Sequence, residues 1–340
     1  MRSCEKIVHF EEETGEPLEC VVSGSVKLAR LPEHVAQLED EVARAARWGV
    51  PLHRLDPAEL PRLSPFVSPR GVLAATYNPD DLYLEPVQIP RGYARAAVAR
   101  GATLLEHTPV RRLLVEHGRV AGVALDDGEI RAPAVVPTRH QLLITEPLAG
   151  VRREQPIVRV VDANVYVRPE RGGLLLGGYE ADPVQFDGEH LPEGFQVAQL
   201  ELDLAVLRRL ADRVREQLPV FQDVFARGAI REHRGGLPTM SPDAQFLLGE
   251  SAQVPGLFFA TGCNVGGLST APALGEALAD LIATGKAAVG DLTPLAPDRF
   301  GPLDEAALRA ASRREYAYQY WATKPADLAT ALRLDGGEGA

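Results

Sequence analysis

A short apolar run followed by a glycine-rich loop and a helix, at residues 257–286, is the feature that most constrains the fold of this chain. Residues 257–260 (LFFA) form the unbroken apolar run of a buried strand. Three glycines then fall within residues 262–270, where backbone N–H groups can approach a ligand without interference from Cβ atoms. From Pro272 onward, apolar residues recur at helical spacing. This order predicts a buried strand, a tight turn and a helix N-terminus in an α/β fold.

The glycine-rich loop is predicted to bind an anionic or electron-rich group. Unpaired N–H groups and the positive end of the helix dipole converge there. Ser269 or Thr270 is expected to cap the helix, and Pro272 to lie in its first turn. An ordinary tight connection between a strand and a helix also needs glycines, so spacing alone leaves both interpretations open. The candidate ligand-binding residues are Gly262, Cys263, Asn264, Val265, Gly266, Gly267, Leu268 and Ser269.

The segment before this loop makes the interpretation more specific. Residues 234–249 read RGGLPTMSPDAQFLLG, and residues 254–262 read VPGLFFATG. With the loop, these phrases resemble the C-terminal flavin-binding signature of the D-amino acid oxidase superfamily, which includes glycine oxidase and the sarcosine and dimethylglycine dehydrogenases. The phrases RHQLLITEP at 139–147 and YVRPERGGLLLGGYE at 166–180 resemble the sarcosine and dimethylglycine dehydrogenase branch.

The resemblance implies a mixed α/β (α+β) fold, with an incomplete Rossmann-like FAD-binding domain beside a substrate domain built on an antiparallel β-sheet. Both domains are expected to be discontinuous. Residues 17–80 and 137–243 are assigned to the substrate domain, 81–136 and 244–300 to the FAD-binding domain, and 301–340 to a C-terminal helix and tail. The resemblance also implies an FAD-dependent oxidoreductase that oxidises the C–N bond of an amino acid or an N-methylated glycine, with FAD held non-covalently.

Four further site residues follow from the resemblance. Val110 matches a position whose backbone lies near the adenine, although it is equally well explained as the core residue of a plain meander. Tyr166 matches a substrate-domain tyrosine, while Arg234 and His233 adjoin the turn near the expected flavin ring. Each has an ordinary alternative: a sheet tyrosine, an exposed ion-paired arginine and a structural histidine. His140 is expected to be structural too, and His233 is preferred over it because of the neighbouring turn.

Two parts of the family's flavin-binding domain have no counterpart in these 340 residues. There is no G-x-G-x-x-G, the motif that holds the pyrophosphate. The small-residue segment that follows position 136 in the family is also missing. These gaps predict the loss of several charge-assisted hydrogen bonds to FAD, each worth about 1.5–3 kcal/mol. They leave open a partner chain or self-association that completes the flavin site, a non-catalytic remnant that binds a partner without flavin, and an unrelated α/β ligand-binding protein.

Composition narrows the choice of partners. The chain carries 36 Lys and Arg against 47 Asp and Glu, a net charge of −11, which argues against nucleic acid or an anionic membrane as a partner. No apolar run approaches the roughly 20 residues of a membrane span. The three cysteines are widely spaced without a C-x-x-C pattern, so neither a disulfide framework nor a zinc site is indicated. The expected compartment is the cytoplasm, and the expected partner is a small amine or amino acid.

Periodicity predicts several other elements. We expect helices over residues 1–16, 199–217 and 303–321, and strands over residues 20–29 and 103–107. A hairpin is expected between residues 120–125 and 129–136. Aromatic residues of the last helix are expected to pack it onto the body of the protein, with a docking surface for a partner as the alternative. They are Tyr316, Tyr318, Tyr320 and Trp321.

Overall fold

The computed structural model describes residues 2–106, 108, 110, 112–124, 136–187, 191–192, 194–301 and 304–328. Its helices are α1 (Arg2–Val8), α2 (Phe10–Thr14), α3 (Pro32–Arg47), α4 (Leu60–Leu63), α5 (Gln88–Ala99), α6 (Leu204–Arg213), α7 (Val220–Arg227), α8 (Gly267–Thr284) and α9 (Glu305–Ala317). Its strands are β1 (Cys20–Val22), β2 (Ser25–Ala29), β3 (His53–Leu55), β4 (Ala74–Asn78), β5 (Leu82–Leu84), β6 (Arg112–Glu116), β7 (Arg119–Ala124), β8 (Val136–Pro137), β9 (His140–Thr145), β10 (Ile157–Val160), β11 (Val165–Glu170), β12 (Gly173–Gly178), β13 (Ile230–Gly236), β14 (Thr239–Met240), β15 (Leu247–Glu250) and β16 (Phe258–Thr261).

The main sheet has eight strands in the order β13-β9-β12-β11-β10-β2-β4-β3. Neighbouring strands run antiparallel, except that β10 lies parallel to β2. The sequence prediction of a mixed α/β fold with an antiparallel sheet is therefore confirmed. Strands from two distant stretches of the chain, residues 25–78 and 140–236, make up this one sheet.

The two faces of the main sheet differ in chemistry because side chains alternate along each strand. One face carries fully buried apolar residues such as Leu28, Val160 and Leu176, which belong to the same core cluster as Leu207 of α6 and Phe221 of α7. Each such side chain contributes roughly 1.5–3 kcal/mol when it leaves water. The other face is polar, and residues paired across adjacent strands form a row on it: Tyr166, Arg159, Lys27 and Thr76.

The predicted strand, glycine loop and helix are present as β16, residues 262–266 and α8. The prediction that the strand is buried is wrong, because Phe258 and Phe259 are half-buried and Ala260 is exposed in a sheet of two strands. Strand β16 pairs antiparallel with β15, which was not predicted from the sequence. Helix α1 lies against α8, where Arg2 forms an ion pair with Glu276 at 2.9 Å and the Ser3 hydroxyl donates to the Thr270 carbonyl at 2.9 Å. These contacts with α1 therefore hold α8, the helix that follows the loop, in position.

Two expected elements near the N-terminus are divided in the structure. The single helix over residues 1–16 is two helices, α1 and α2. The single strand over residues 20–29 is β1 and β2, which belong to different sheets. Gly24 separates them with a φ of +71°, a conformation that disfavours any side chain. Its N–H donates to the Asp81 carbonyl at 2.8 Å, so the chain turns instead of extending.

Three other predictions fail or fall partly outside the described residues. The helix expected over 199–217 is shorter in the structure: α6 begins after Asp203, which caps it through a 2.9 Å hydrogen bond from the Ala205 N–H, and ends at Arg213. Helix α7, which follows it, was not predicted. Residues 103–106 form no strand, so that expectation is wrong for them. Residues 125–135, which include the expected hairpin turn, lie outside the described part of the chain.

The C-terminal aromatic residues pack against the body of the protein, as expected. Tyr316 and Tyr318 are fully buried, and Trp321 is 8% exposed. The helix itself ends at Ala317, earlier than predicted, and the following turn carries Tyr320 across the polar face of the sheet. Within the described ranges, no helix combines the length and apolar character needed to cross a bilayer.

Candidate active site

The glycine loop is fastened to the segment around β14 by backbone and side-chain hydrogen bonds. The Asn264 N–H donates to the Thr239 carbonyl at 2.9 Å, and the Cys263 N–H donates to the Thr239 hydroxyl at 3.1 Å. The buried Asn264 side chain accepts from the Ser241 N–H at 2.9 Å and donates to the Gly262 carbonyl at 2.6 Å. These contacts fix the shape of the loop without any ligand.

Three residues of the loop adopt left-handed backbone conformations. The φ angles are +67° at Gly262, +45° at Asn264 and +58° at Val265. Glycine and asparagine tolerate this region, but a β-branched residue there is a genuine outlier. Such strain costs on the order of 1–3 kcal/mol and clusters at sites where structure serves function. Val265 is therefore held in place by its surroundings, which is consistent with a ligand-binding role for the loop.

The first turn of α8 has no side-chain cap. The prediction that Ser269 or Thr270 caps the helix is wrong, because both hydroxyls donate to the Gly266 carbonyl, at 3.0 and 2.7 Å. Pro272 lies further inside the helix than the first turn, where it was expected. The amide donors of the first turn at Gly267 and Leu268 thus point out of the helix end without a side-chain acceptor. A helix end of this kind stabilises negative charge.

His140 lies at the centre of a cluster of tyrosine side chains beside this loop. Its Nε2 is 2.9 Å from the Tyr166 hydroxyl, and its Nδ1 is 2.9 Å from the Tyr316 hydroxyl. The imidazole stacks on the Tyr179 ring with 5.0 Å between centroids, and Tyr320 meets Tyr179 edge to face. We refer to His140 and these four tyrosines as the tyrosine cluster.

The hydrogen bonds of the cluster define which nitrogen of His140 carries its proton. The Tyr316 hydroxyl has one hydrogen, and it donates to the Glu180 carboxylate at 2.9 Å. A carboxylate is a stronger acceptor than a neutral imidazole nitrogen. The Tyr316 oxygen therefore accepts from Nδ1–H of His140, and Nε2 accepts from the Tyr166 hydroxyl. Tyr166 consequently presents its oxygen lone pairs, and not its hydrogen, to a molecule bound in front of it.

Burial among aromatic rings keeps the cluster uncharged. It lowers the pKa of His140 to about 4. It also raises the pKa of Tyr166 above its usual value, and that of Tyr316 is raised by burial and by the adjacent Glu180. Burial disfavours the charged forms of the imidazole and of the phenols, because these forms lose their hydration. Neutral imidazole and neutral phenols thus line the site at physiological pH.

The glycine loop and the tyrosine cluster are contiguous. Val265, the strained residue of the loop, packs against the buried group of Tyr179, Met240 and Tyr316, and Tyr166 packs against the same group. Beyond the cluster, the Gln319 side chain donates to the Asn264 carbonyl at 3.3 Å. The loop and Tyr166 therefore adjoin the same buried residues.

The absence of a side chain at Gly177 places Tyr166. The two residues are directly paired across β11 and β12. A Cβ at position 177 would lie 2.3 Å from the Tyr166 ring and hydroxyl. The tyrosine therefore lies flat over the neighbouring strand and extends its hydroxyl toward His140 on β9.

The other predicted site residues lie apart from the cluster. Arg234 is on the same face of the sheet as Tyr166 but three strands away, and it pairs with Glu232 at 2.6 Å. His233 lies on the opposite face, where it contacts Gln141 at 3.1 Å. Val110 is outside the strands and 45% exposed. Of the predicted residues, the structure brings together Tyr166 and the loop residues 262–269.

Sequence reasoning missed four members of the site: Tyr179, Glu180, Tyr316 and Tyr320. It also ranked His140 below His233. The motif GGYE at 177–180 was part of the family resemblance, but no site role was predicted for its tyrosine and glutamate. The partners of His140 come from residues 26 and 176 positions further along the chain, so only the folded sheet reveals them.

A profile of the FAD-dependent oxidoreductase family known as DAO matches residues 1–281. The chain belongs to this family. It is similar to the mitochondrial sarcosine dehydrogenase of Homo sapiens, with 28% identity over 303 residues, 82% of this chain and 32% of the relative. It is also similar to the mitochondrial dimethylglycine dehydrogenase of Mus musculus, with 27% identity over 335 residues, 90% of this chain and 38% of the relative. The chain thus spans about a third of the length of these curated relatives.

Solved structures share the fold at lower identity. The L-proline dehydrogenase from P. horikoshii matches with a TM-score of 0.74 and 23% identity, over 88% of this chain and 81% of that one. The glycine oxidase from Geobacillus kaustophilus matches with a TM-score of 0.70 and 21% identity, over the same shares. These likenesses establish the fold of this chain.

The residues at the loop fit FAD, the cofactor of the family. A cavity of about 520 Å³ adjoins the start of α8 and is lined by Gly267, Leu268 and Ala271 on one side and by Ile89 and Tyr93 on the other. Its wall is mostly apolar, as a flat aromatic ring requires. The uncapped amides of α8 supply donors for the ring edge or for a phosphate. Non-covalent binding is consistent with this surface.

Acid titration of stability tests the description of His140. Because its pKa is about 4 in the folded chain and about 6.5 in the unfolded chain, the unfolded state binds the extra proton first as pH falls. Stability contributed by the neutral imidazole is complete above pH 6.5 and is lost between about 6.5 and 4. We expect His140→Gln to reduce this acid-dependent loss of stability by roughly 2 kcal/mol. The figure is smaller than the pKa difference alone would give, because the side chain is partly exposed. Urea unfolding of both proteins across this range measures it, and parallel curves would contradict the assignment.

Proposed function

We propose that this chain is the catalytic part of an FAD-dependent oxidoreductase that oxidises the C–N bond of an amino acid or an N-methylated glycine. The observation that carries the proposal is the contact between the glycine loop and the tyrosine cluster, through Val265. Val265 and Tyr166 pack against the same buried residues, and this supports a substrate held near the Tyr166 oxygen, a neutral hydrogen-bond acceptor. The sarcosine and dimethylglycine dehydrogenases among its relatives support this substrate class.

The chain's own residues would hold the substrate and its proton. In this family the flavin supplies the electron-accepting ring. The uncharged lining of Tyr166, Tyr179 and neutral His140 disfavours an ammonium ion, so it promotes binding of the amine in its reactive neutral form. The Tyr166 oxygen accepts a hydrogen bond from an N–H of the substrate, where it has one, while its own hydrogen stays on Nε2 of His140. Tyr316 fixes that arrangement from the other side of the imidazole.

Absorbance of the purified chain with FAD tests the proposal. After excess FAD is removed, we expect flavin bands to remain, and anaerobic addition of sarcosine or dimethylglycine to bleach them. A folded protein that holds FAD without bleaching by any amine of this class would overturn the proposed reaction. A folded protein that retains no FAD would favour the alternative, a non-catalytic chain that binds a partner without holding flavin.

Replacing Tyr166 with Phe should slow the reaction without displacing the cofactor. The ring still packs over Gly177, but the hydroxyl that bonds to His140 is lost. One hydrogen bond of this kind is worth about 1 kcal/mol, so we expect roughly a fivefold slower flavin reduction. Stopped-flow bleaching with sarcosine, whose neutral amine carries an N–H, measures the rate. Arg234→Gln serves as a control of unchanged rate, because Arg234 pairs with Glu232 away from the cluster.

Completion of the flavin site by another chain or a second copy is part of the proposal. The 340 residues contain no G-x-G-x-x-G, so a phosphate-binding unit would have to come from elsewhere. Light scattering with and without FAD tests it: a change in mass on FAD binding supports self-association.

We also propose the division into a substrate part, residues 17–80 and 137–243, and a flavin part, residues 81–136 and 244–300, with the C-terminal segment 301–340. The main sheet, drawn from residues 25–78 and 140–236, supports this division.

We propose the cytoplasm as the compartment. Cys4, Cys20 and Cys263 are all free thiols, as a reducing environment favours. Two of the curated relatives are mitochondrial, and a reducing compartment is common to both possibilities.

A further inference from the structure

A second cavity lies on the polar face of the main sheet, outside the tyrosine cluster. It holds about 360 Å³ between strands β2, β4 and β10 and helix α3. The row Arg159, Lys27 and Thr76 forms its floor, since these residues are directly paired across adjacent strands. Tyr320 closes one side and separates the cavity from Tyr179 of the cluster. The volume is ample for a small amino acid.

One buried hydroxyl in this cavity has no hydrogen-bond partner. Thr76 is 2% exposed, and its Oγ1 contacts no donor or acceptor within the described structure. Buried polar groups are nearly always paired, so an orphan hydroxyl that lines a cavity points to a missing partner. Its neighbours in the row do not supply one, because Lys27 pairs with Glu41 and Arg54 pairs with Glu39.

The cavity also offers charges of both signs. Arg159 contacts Asp81 at 3.3 Å, and Lys27 contacts Glu41 at 2.6 Å. The Ser25 hydroxyl donates to the same Asp81 carboxylate. The Arg159 guanidinium has five N–H donors, and its contacts to Asp81 and to the Tyr320 hydroxyl leave donors for another acceptor. Two cations and two anions around one cavity match a ligand that carries both a carboxylate and a positively charged nitrogen.

We propose that this cavity binds a small zwitterion, with its carboxylate on the Arg159 guanidinium and the Thr76 hydroxyl and its cationic nitrogen toward Asp81 and Glu41. A carboxylate satisfies the orphan hydroxyl and takes the fork of the guanidinium. The site shares only Tyr320 with the tyrosine cluster, and it shares no residue with the cavity beside α8. It therefore goes beyond the proposed oxidation, and it does not depend on it.

Binding to the purified chain without added FAD tests the proposal. The probes are dimethylglycine as the zwitterion, acetate for its carboxylate alone and dimethylammonium for its cation alone. Calorimetry should show dimethylglycine binding more tightly than either half. Equal or absent binding of all three probes would overturn the proposal, while the proposed oxidation would be judged separately by flavin bleaching.

Thr76→Val gives the sharpest variant, because it removes a hydroxyl that bonds to nothing in the protein and keeps the shape of the side chain. We expect about threefold to tenfold weaker binding of dimethylglycine, with an unchanged or slightly higher melting temperature. Tyr166→Phe is the matched control and should leave this binding unchanged. If Tyr166→Phe weakens binding and Thr76→Val does not, the ligand occupies the tyrosine cluster and the cavity proposal is wrong. Binding that neither variant alters would also overturn it.

Discussion

Replacing Gly177 with Ala is expected to destabilise the protein and to separate Tyr166 from His140. The new Cβ would lie 2.3 Å from the Tyr166 ring, well inside van der Waals contact, and the strand beneath cannot retreat because it is paired on both sides. Overpacking of this severity costs about 2–3 kcal/mol. Because the tyrosine must swing away, its 2.9 Å hydrogen bond to His140 is lost as well. Urea unfolding and the rate of flavin reduction measure the two effects.

Two comparisons make this prediction specific. Gly236→Ala is the matched control, since a Cβ there meets nothing within 4 Å, and it should change the stability by about 0.5 kcal/mol or less. In a Tyr166→Ala background, Gly177→Ala should become nearly neutral, because the clashing ring is gone. If the two substitutions proved additive, the contact between Gly177 and Tyr166 would not be what constrains this strand.

Replacing Asn264 with Ala is expected to release the glycine loop. The substitution removes the acceptor of the buried Ser241 N–H and the donor to the Gly262 carbonyl. A buried N–H left without a partner costs about 1–3 kcal/mol, and the lost donor adds about 1 kcal/mol. Alanine also tolerates the φ of +45° less well than asparagine does. We expect a total loss of about 3 kcal/mol in stability.

Asn264→Ala should also weaken the binding of FAD. When Asn264 no longer fixes Val265, the amides at the start of α8 lose their aligned geometry, and we expect FAD affinity to fall at least about tenfold. Fluorescence titration of FAD measures this. Thr284→Ala is the control with near-normal affinity, because that exposed hydroxyl lies at the other end of α8, where it donates to the Asp280 carbonyl. Equal affinity in Asn264→Ala and the native chain would show that the loop is not part of the flavin site.

The sequence predicted the strand, loop and helix at 257–286 well because their signals are local. Apolar runs, glycines and helical spacing act over a few residues, and β16, the loop and α8 formed where expected. Helix caps were less predictable: Ser269 and Thr270 have the right chemistry, yet both lie inside the helix and bond backward to Gly266. Their role depended on where the helix began, a boundary that one or two residues can shift.

The composition of the tyrosine cluster could not be predicted, because it depends on strand register. His140 meets Tyr166 only because β9, β12 and β11 are adjacent in that order, and a one-residue slip would turn Tyr166 to the apolar face. Tyr316 lies on a helix far along the chain, and Glu180 lies just after the end of a strand. No spacing in the sequence links these positions. His233 illustrates the same limit, since its place next to a motif did not reveal which face of β13 it occupies.

The parallel pairing of β2 with β10 has a consequence for synthesis of this protein. Roughly 130 residues separate the two strands, so at about 5–20 residues per second the ribosome needs on the order of ten seconds between them. During that interval β2, β4 and β3 can already pair, but β2 is an open edge to which other nascent chains could add. Lys27 stands in the middle of β2, and a lysine on an edge strand discourages such association. Lys27 thus lines the polar cavity in the folded protein and discourages association of the incomplete sheet during synthesis.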